Sequence, residues 1–209
     1  MAEAMTMNKV IHGAVRRDLA RFAAALDSFP EGSKDRAVRL STAWKFFYGE
    51  LDQHHHGEHE IAWPALTAVG VQTSLLDEMD AEHERMAGAL AQADLAFTAL
   101  EQEPTETNAK SARAVVADLE QVVAEHFAHE ERELEPVYHD KRNTPEIKAM
   151  GRAFAKRNPL RSGDFVAWVQ NGATPQERAA LRESIPPPVV AVLGLLGQRY
   201  RRIVAPVWR

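Results

Sequence analysis

The chain contains no cysteine in 209 residues. That absence excludes disulfides, thiolate metal sites and cysteine nucleophiles together. Any metal must be held by nitrogen and oxygen, a donor set that suits iron, manganese or zinc better than copper(I). Long hydrophobic runs are missing too. The longest near-apolar stretch, Val189 to Gly197, is too short to span a bilayer. The N-terminus has no basic-then-apolar signal, and helical period is already present after Met7. There is no low-complexity tract, no internal repeat, no zinc-finger spacing and no aromatic-rich RNA-binding signature. These absences lead us to expect a cytoplasmic protein with no membrane and no nucleic-acid partner, a monomer or a homodimer.

What is present is ordinary material for a globular fold: 45% hydrophobic and 26% charged residues. The net charge of −5 hides an asymmetry. Residues 1–139 carry 12 basic against 25 acidic side chains, a net −13, and residues 140–209 carry 13 against 5, a net +8. A basic tail packing on an acidic body accounts for this more simply than nucleic-acid binding does.

Four long helical stretches fill residues 1–139. The first, from about Asn8 to Asp27, places Val15, Leu19, Phe22 and Leu26 in line after His12. The second follows Pro30-Glu31-Gly32-Ser33, with Ser33 as N-cap, and carries Leu40, Trp44, Phe47, Leu51, His54, Glu58 and Ala62 on one stripe. Thr73 is the expected cap of the third, where Leu76, Met79, His83, Met86 and Leu90 share a face. Pro104 and Thr105 precede the fourth, with Val115, Leu119, Val122, His126, Glu130 and Leu134 aligned before Pro136. Long helices with short connections predict an all-α, up-down antiparallel four-helix bundle. Residues 140–209 form a basic helical C-terminal extension packed on it. Its start signals are Thr144-Pro145 and the Thr174/Glu177 capping box, and Pro186-Pro187-Pro188 breaks it.

The chemistry lies in two His-x-x-x-Glu pairs, His54/Glu58 and His126/Glu130, with His12 and His83 on the other two helices. Residues four apart share a helix face, so each pair aims an imidazole and a carboxylate at one point. One histidine on an amphipathic helix means little. Four helices each placing one in line with the core stripe, two adding a Glu, describe a metal site in a bundle core, because an ionised core Glu is costly unless paired or metal-bound. Six ligands suit two metals, with Glu58 and Glu130 bridging and His12, His54, His83 and His126 capping. Few carboxylates neutralise little metal charge, which favours binding or reducing dioxygen species over attack on strong C–H bonds.

These residues resemble the hemerythrin-like (HHE cation-binding) family. The matching segments are Ile11–Leu19, the run His54-His55-His56-Gly57-Glu58-His59-Glu60-Ile61-Ala62-Trp63-Pro64, Glu82-His83, and His126–Glu131 followed by Pro136. They occur in the family's order over residues 8–138, and the tail looks like that of actinobacterial members. The resemblance implies two non-haem iron ions with an oxo or hydroxo bridge, meeting O2, H2O2 or NO. Oxygen-carrying members supply two third-helix histidines at i,i+4, where Met79 and Ala87 flank His83 here, and end in His-x4-Asp rather than His126-x3-Glu130. One iron is thus short of a protein ligand, a place left to water, His55 or another group, and peroxide or nitric oxide chemistry becomes more plausible than reversible oxygen carriage.

Several residues stay as alternatives at this point. His55/His59 competes with His54/Glu58, and His129/Glu133 with His126/Glu130; Tyr48 is a core residue or a phenolate ligand. Glu131 and Glu60 are either solvated or acceptors for imidazole N–H groups. The expected function is a diiron protein of oxidative or nitrosative stress that reacts with dioxygen-derived species, its enzymatic form being catalase-like or nitric-oxide-reactive. The alternatives are an iron- or oxygen-sensing module with the basic tail as output, and a structural zinc or manganese bundle.

Overall fold

The computed structural model describes residues 5–157 and 161–208, and every regular element among them is helical. In chain order these are α1 (Met7–Asp27), α2 (Lys34–Gly57), a π-turn (Glu58–Ala62), α3 (Trp63–Ala68), α4 (Thr73–Gln102) and α5 (Glu106–Glu133). They are followed by α6 (Glu135–Lys141), α7 (Pro145–Arg157), α8 (Ser162–Gln170), α9 (Pro175–Ser184) and α10 (Pro187–Leu196), then a second π-turn (Tyr200–Val204) and a closing 3-10 turn (Ala205–Trp208). Among the described residues no single helix is long and apolar enough to cross a membrane.

Helix starts follow local chemistry. Thr6 accepts from Lys9 N–H at the head of α1, and Thr105 accepts from Asn108 N–H at the head of α5. The capping box opens α9 as expected, with both reciprocal bonds between Thr174 and Glu177 formed. Ser33 occupies the cap position of α2 without a side-chain bond. Thr73 is not the cap of α4: extended Gln72 takes that place and Thr73 is the first helical residue.

Side-chain pairs fix how the four long helices meet. α1 meets α5 through His12 with Glu131 and Asp27 with Arg113. α2 meets α4 through Trp44 with Asp94 and His55 with His83. α1 meets α2 through Phe22 with Trp44 and His12 with His54, and α4 meets α5 through Glu82 with His126. Phe22 sits at the centre of this core, edge-on to Trp44, Phe47, Phe97 and Trp208 at 4.9–5.6 Å. The α1, α2 and α4 stripes read from the sequence are buried except at half-buried His54, the second running on into the π-turn at Glu58 and Ala62. On α5 the stripe is rotated: Val116 and Val123 are fully buried, and Val115 and Val122 only flank the core.

The same core runs on past residue 139. Trp168, Tyr200, Val204 and Val207 join it. The Trp168 indole donates to buried Asp18 at 2.8 Å, Arg17 pairs with Glu177 at 2.6 Å, and Arg36 donates to Val207 O at 2.7 Å. A second, smaller cluster of Trp63, Leu66, Met79 and Leu134 takes Ile147 and Met150 from α7.

Candidate metal centre

His12 comes from α1, His54 and His55 from the last turn of α2, Glu58 from the start of the π-turn, His83 from α4, and His126 and Glu130 from α5. They converge as two groups, His12–His54–Glu58–Glu130 and His55–Glu58–His83–His126, each with one donor atom per residue within 4.8 Å of the others. Glu58 belongs to both. His54 and His55 lie four and three residues before Glu58, so both sit one turn back on its face, one to each side. The two histidines the sequence left as competing registers are both inside, in different groups. Glu130, expected to bridge like Glu58, belongs to one group alone.

The local backbone is unusual at this point. Trp63 N–H bonds Glu58 O across five residues, and Pro64 behind it has no N–H with which to continue an α-helical ladder. Such π-turns cluster at functional sites. Glycine on either side lets other chain segments approach. A Cβ on Gly57 would lie 2.6 Å from Arg157 Nη1 and 2.7 Å from Phe154, and one on Gly13, beside His12, would collide with the Glu177 carboxylate.

Hydrogen-bond accounting shows what the cluster can hold. His12 Nδ1 meets Glu131 Oε1 at 2.9 Å and His126 Nδ1 meets Glu82 Oε2 at 2.8 Å. A proton on each Nδ1 leaves a bare lone pair on Nε2. Those Nε2 atoms point at other imidazole nitrogens: His126 at His83 Nε2, 3.0 Å away, and His12 at His54 Nε2, 3.4 Å away. Glu58 Oε1 is 3.2 Å from His54 Nε2, Glu58 Oε2 is 3.4 Å from His83 Nε2, and Glu130 Oε2 is 3.1 Å from His12 Nε2. Both Glu58 oxygens, Glu130 Oε2 and His55 Nε2 are nevertheless buried with no hydrogen-bond partner. Buried polar atoms left this way cost about 1–3 kcal/mol each. Lone pairs converging without protons between them fit bound cations, and nitrogen with carboxylate oxygen fits iron, manganese or zinc.

The electrostatics agree with that arrangement at His54, His55, His83 and His126, and run the other way at His12. Burial drives His54 and His55 well below the usual imidazole range, helped by His12 and His83 respectively. Burial and His126 take His83 down to about 4, and burial also lowers His126. Neutral imidazoles are the ligating form. Burial and the neighbouring Glu130 push Glu58 well up. Burial also opposes charge on Glu130, but pairing with His12, then the fields of His54 and His126, outweigh it and hold Glu130 far below the usual range. His12 is raised because Glu130 and Glu131 overcome its desolvation.

The model of the hemerythrin HHE cation-binding domain matches residues 7–138. The chain belongs to the hemerythrin HHE family. No curated protein and no solved structure matches the chain. Within the hemerythrin domain all six principal candidates read from the sequence come together, and His55 joins them. Tyr48 does not: it packs edge-on to Trp44 at the core's margin. His129 lies outside both groups and shares Glu82 with His126, at 2.9 Å. Glu133 pairs with Arg132, and His59 pairs with Asp80. Glu131 is the expected acceptor for an imidazole N–H, whereas Glu60 pairs with Arg157 at 2.9 Å.

Three residues around the hemerythrin centre went unnoticed in the sequence. Asn8 donates to Glu130 Oε1 at 2.8 Å, and its place one turn before His12 was the available signal. Glu82 holds two histidines of α5 from across the interface. Tyr138, on α6, is pushed well above the normal phenol range by burial and by the fields of Glu130, Glu58 and Glu135. It therefore stays a protonated phenol within the field of Glu130 and Glu58, and nothing in the helical spacing pointed to it.

Proposed function

We propose that this hemerythrin-family chain is a diiron protein that reacts with dioxygen-derived species, O2, peroxide or nitric oxide, in a cytoplasmic response to oxidative or nitrosative stress. The observation that carries the reading is the pair of buried His/Glu groups joined at Glu58, whose orphaned donor atoms face inward. On this reading the four long helices form an up-down antiparallel bundle, residues 1–139 make the metal-binding unit, and residues 140–209 brace it.

Bound iron would supply electron exchange with the small oxidant. The protein's part is to place and protect. Glu58 would serve both positions, its Oε1 lying beside His54 Nε2 and its Oε2 beside His83 Nε2. His12, His54 and Glu130 would hold one ion and His55, His83 and His126 the other, His55 standing in for the second third-helix histidine of oxygen carriers. Glu131 and Glu82 fix the tautomers of His12 and His126 through Nδ1, which orients Nε2 inward. Phe127 stacks on His12 at 3.6 Å and keeps water from that side. Tyr138 offers a phenolic proton near the carboxylates. In the enzymatic form of this proposal the centre decomposes peroxide or reacts with nitric oxide. The sensing alternative, with residues 140–209 as output, is weaker because Trp168 and Tyr200 already lie in the common core.

Metal analysis and optical spectra of anaerobically iron-loaded protein, followed through air and then peroxide, test the proposal. About two irons per chain with near-ultraviolet bands appearing on oxidation is the expected result. One metal or none, with no oxidant-dependent band, would sink the redox reading.

A further inference from the structure

We propose that α10 and the arginines that follow it are a peripheral docking surface for an anionic lipid bilayer. A solvent-facing helix of a globular protein normally turns a polar face outward, and one apolar all round is normally buried. α10 does neither. Val189, Val192, Leu195 and Leu196 are between 43 and 68 % exposed, and no residue from Pro187 to Leu196 is charged. Ile203 adds a fifth exposed aliphatic side chain just beyond. Elsewhere among the described residues the large exposed hydrophobics are only Val38, Leu95 and Phe154, scattered over three helices.

The exposed face is built into the packing. α10 lies on α8 at glycine-permitted distance: a Cβ on Gly163 would sit 2.8 Å from the Leu196 carbonyl carbon, and one on Gly197 would sit 2.6 Å from Gly163 O. The end of α10 at Leu196 and Gly197 is thereby held against α8 and Val190 against the core, and Val189, Val192, Leu195 and Leu196 are left outward. Charge follows directly. After Glu183 the chain has no acidic residue, while Arg199, Arg201 and Arg202 follow α10 within six residues, all exposed. The Arg201 guanidinium reaches back over α10, 3.4 Å from where a Gly194 Cβ would stand.

An aliphatic stripe rimmed by arginines matches the boundary between acyl chains and anionic headgroups. At ten residues α10 is about 15 Å long, roughly half a hydrocarbon core, so it lies on the surface and does not span it. A second copy fits less well. The other large exposed hydrophobics among the described residues are scattered, so symmetric self-association would set α10 against α10 and bring like-charged arginines together. This departs from the expectation of no membrane partner, which rested on the length of apolar runs; surface binding needs one face, not a span.

Co-sedimentation of the full chain with vesicles of phosphatidylcholine alone, or of equal parts phosphatidylcholine and phosphatidylglycerol, tests the proposal. Binding to the anionic vesicles only, weakened by salt, is expected. Leu195→Glu with Leu196→Glu should reduce the bound fraction by on the order of tenfold or more, and Arg201→Gln with Arg202→Gln, which leaves the apolar face untouched, should weaken it in parallel. Unaltered helical content of both variants keeps the comparison valid. No binding to anionic vesicles would overturn the proposal. So would sedimentation as a dimer that the leucine variant alone disrupts while vesicles remain unbound, since that assigns the face to a second copy.

Discussion

The two ligand groups share Glu58 and little else. One, built on α1 and α5 with His54, has two imidazoles and two carboxylates; His12 and Glu130 are sealed from solvent, and Asn8 fixes Glu130 from behind. The other has three imidazoles and only the shared carboxylate, and its His55 and His83 retain 8 % and 9 % exposure. Carboxylates neutralise a hard cation's charge and imidazoles do not. The first group should therefore hold its ion more firmly, and the second should fill later and empty sooner. A single glutamate joining unequal neighbours is the lesson of the site.

The largest expected effect comes from removing what the groups share. Glu58→Ala should take iron content from about two per chain towards none, whereas Glu130→Ala should leave about one. Equal losses in elemental analysis would erase the distinction between the groups. Next, His55→Ala and His54→Ala should each remove one ion from opposite groups, so that the first spares the tighter site and the second the weaker. Chelator-release kinetics read this directly, and identical biphasic traces would contradict it. A smaller change is expected from the carboxylates behind the imidazoles: Glu131→Gln and Glu82→Gln should weaken affinity by about 10–100-fold, each in its own group.

The smallest effect is a control away from both groups. Burial raises the pKa of Asp18 despite hydrogen bonds from Trp168 and Arg21. A carboxyl whose folded pKa lies above its unfolded value stabilises the fold most below the unfolded value, and that contribution is lost as pH rises through the folded one. Asp18→Asn should therefore gain on the parent as pH rises from about 4, with metal content unchanged. Melting curves that keep a constant offset at every pH would refute the assignment.

Much of this was legible in the sequence because it is local. The i,i+4 rule finds His54/Glu58 and His126/Glu130, core stripes find the four helices, and the Thr174/Glu177 box marks α9 to the residue. What escaped depends on how helices meet. His55 looked like a rival to His54 because spacing along one helix does not say that a neighbour, α4, brings His83 to its other side. Glu82 reaches His126 only through the α4–α5 register, and Tyr138 only because α6 folds back beside the carboxylates. Val116 and Val123 replaced Val115 and Val122 in the core for a related reason: four apolar positions on α5 leave its rotation undecided until its neighbours are placed.

Gly13 and Gly57 carry a consequence for how such a chain changes over generations. Each adjoins a ligand, and each is bare where a side chain from residues 140–209 presses on it: Glu177 at Gly13, Arg157 and Phe154 at Gly57. A larger residue at either glycine would have to push these side chains aside, and at Gly13 would disturb the pairing of Glu177 with Arg17, unless the tail changed in the same lineage. The tail, in turn, has no freedom to be exchanged for another by recombination near residue 140 without leaving two hollows beside the histidines. A hybrid joining residues 1–139 to a foreign tail should therefore be a poorer metal binder than either parent.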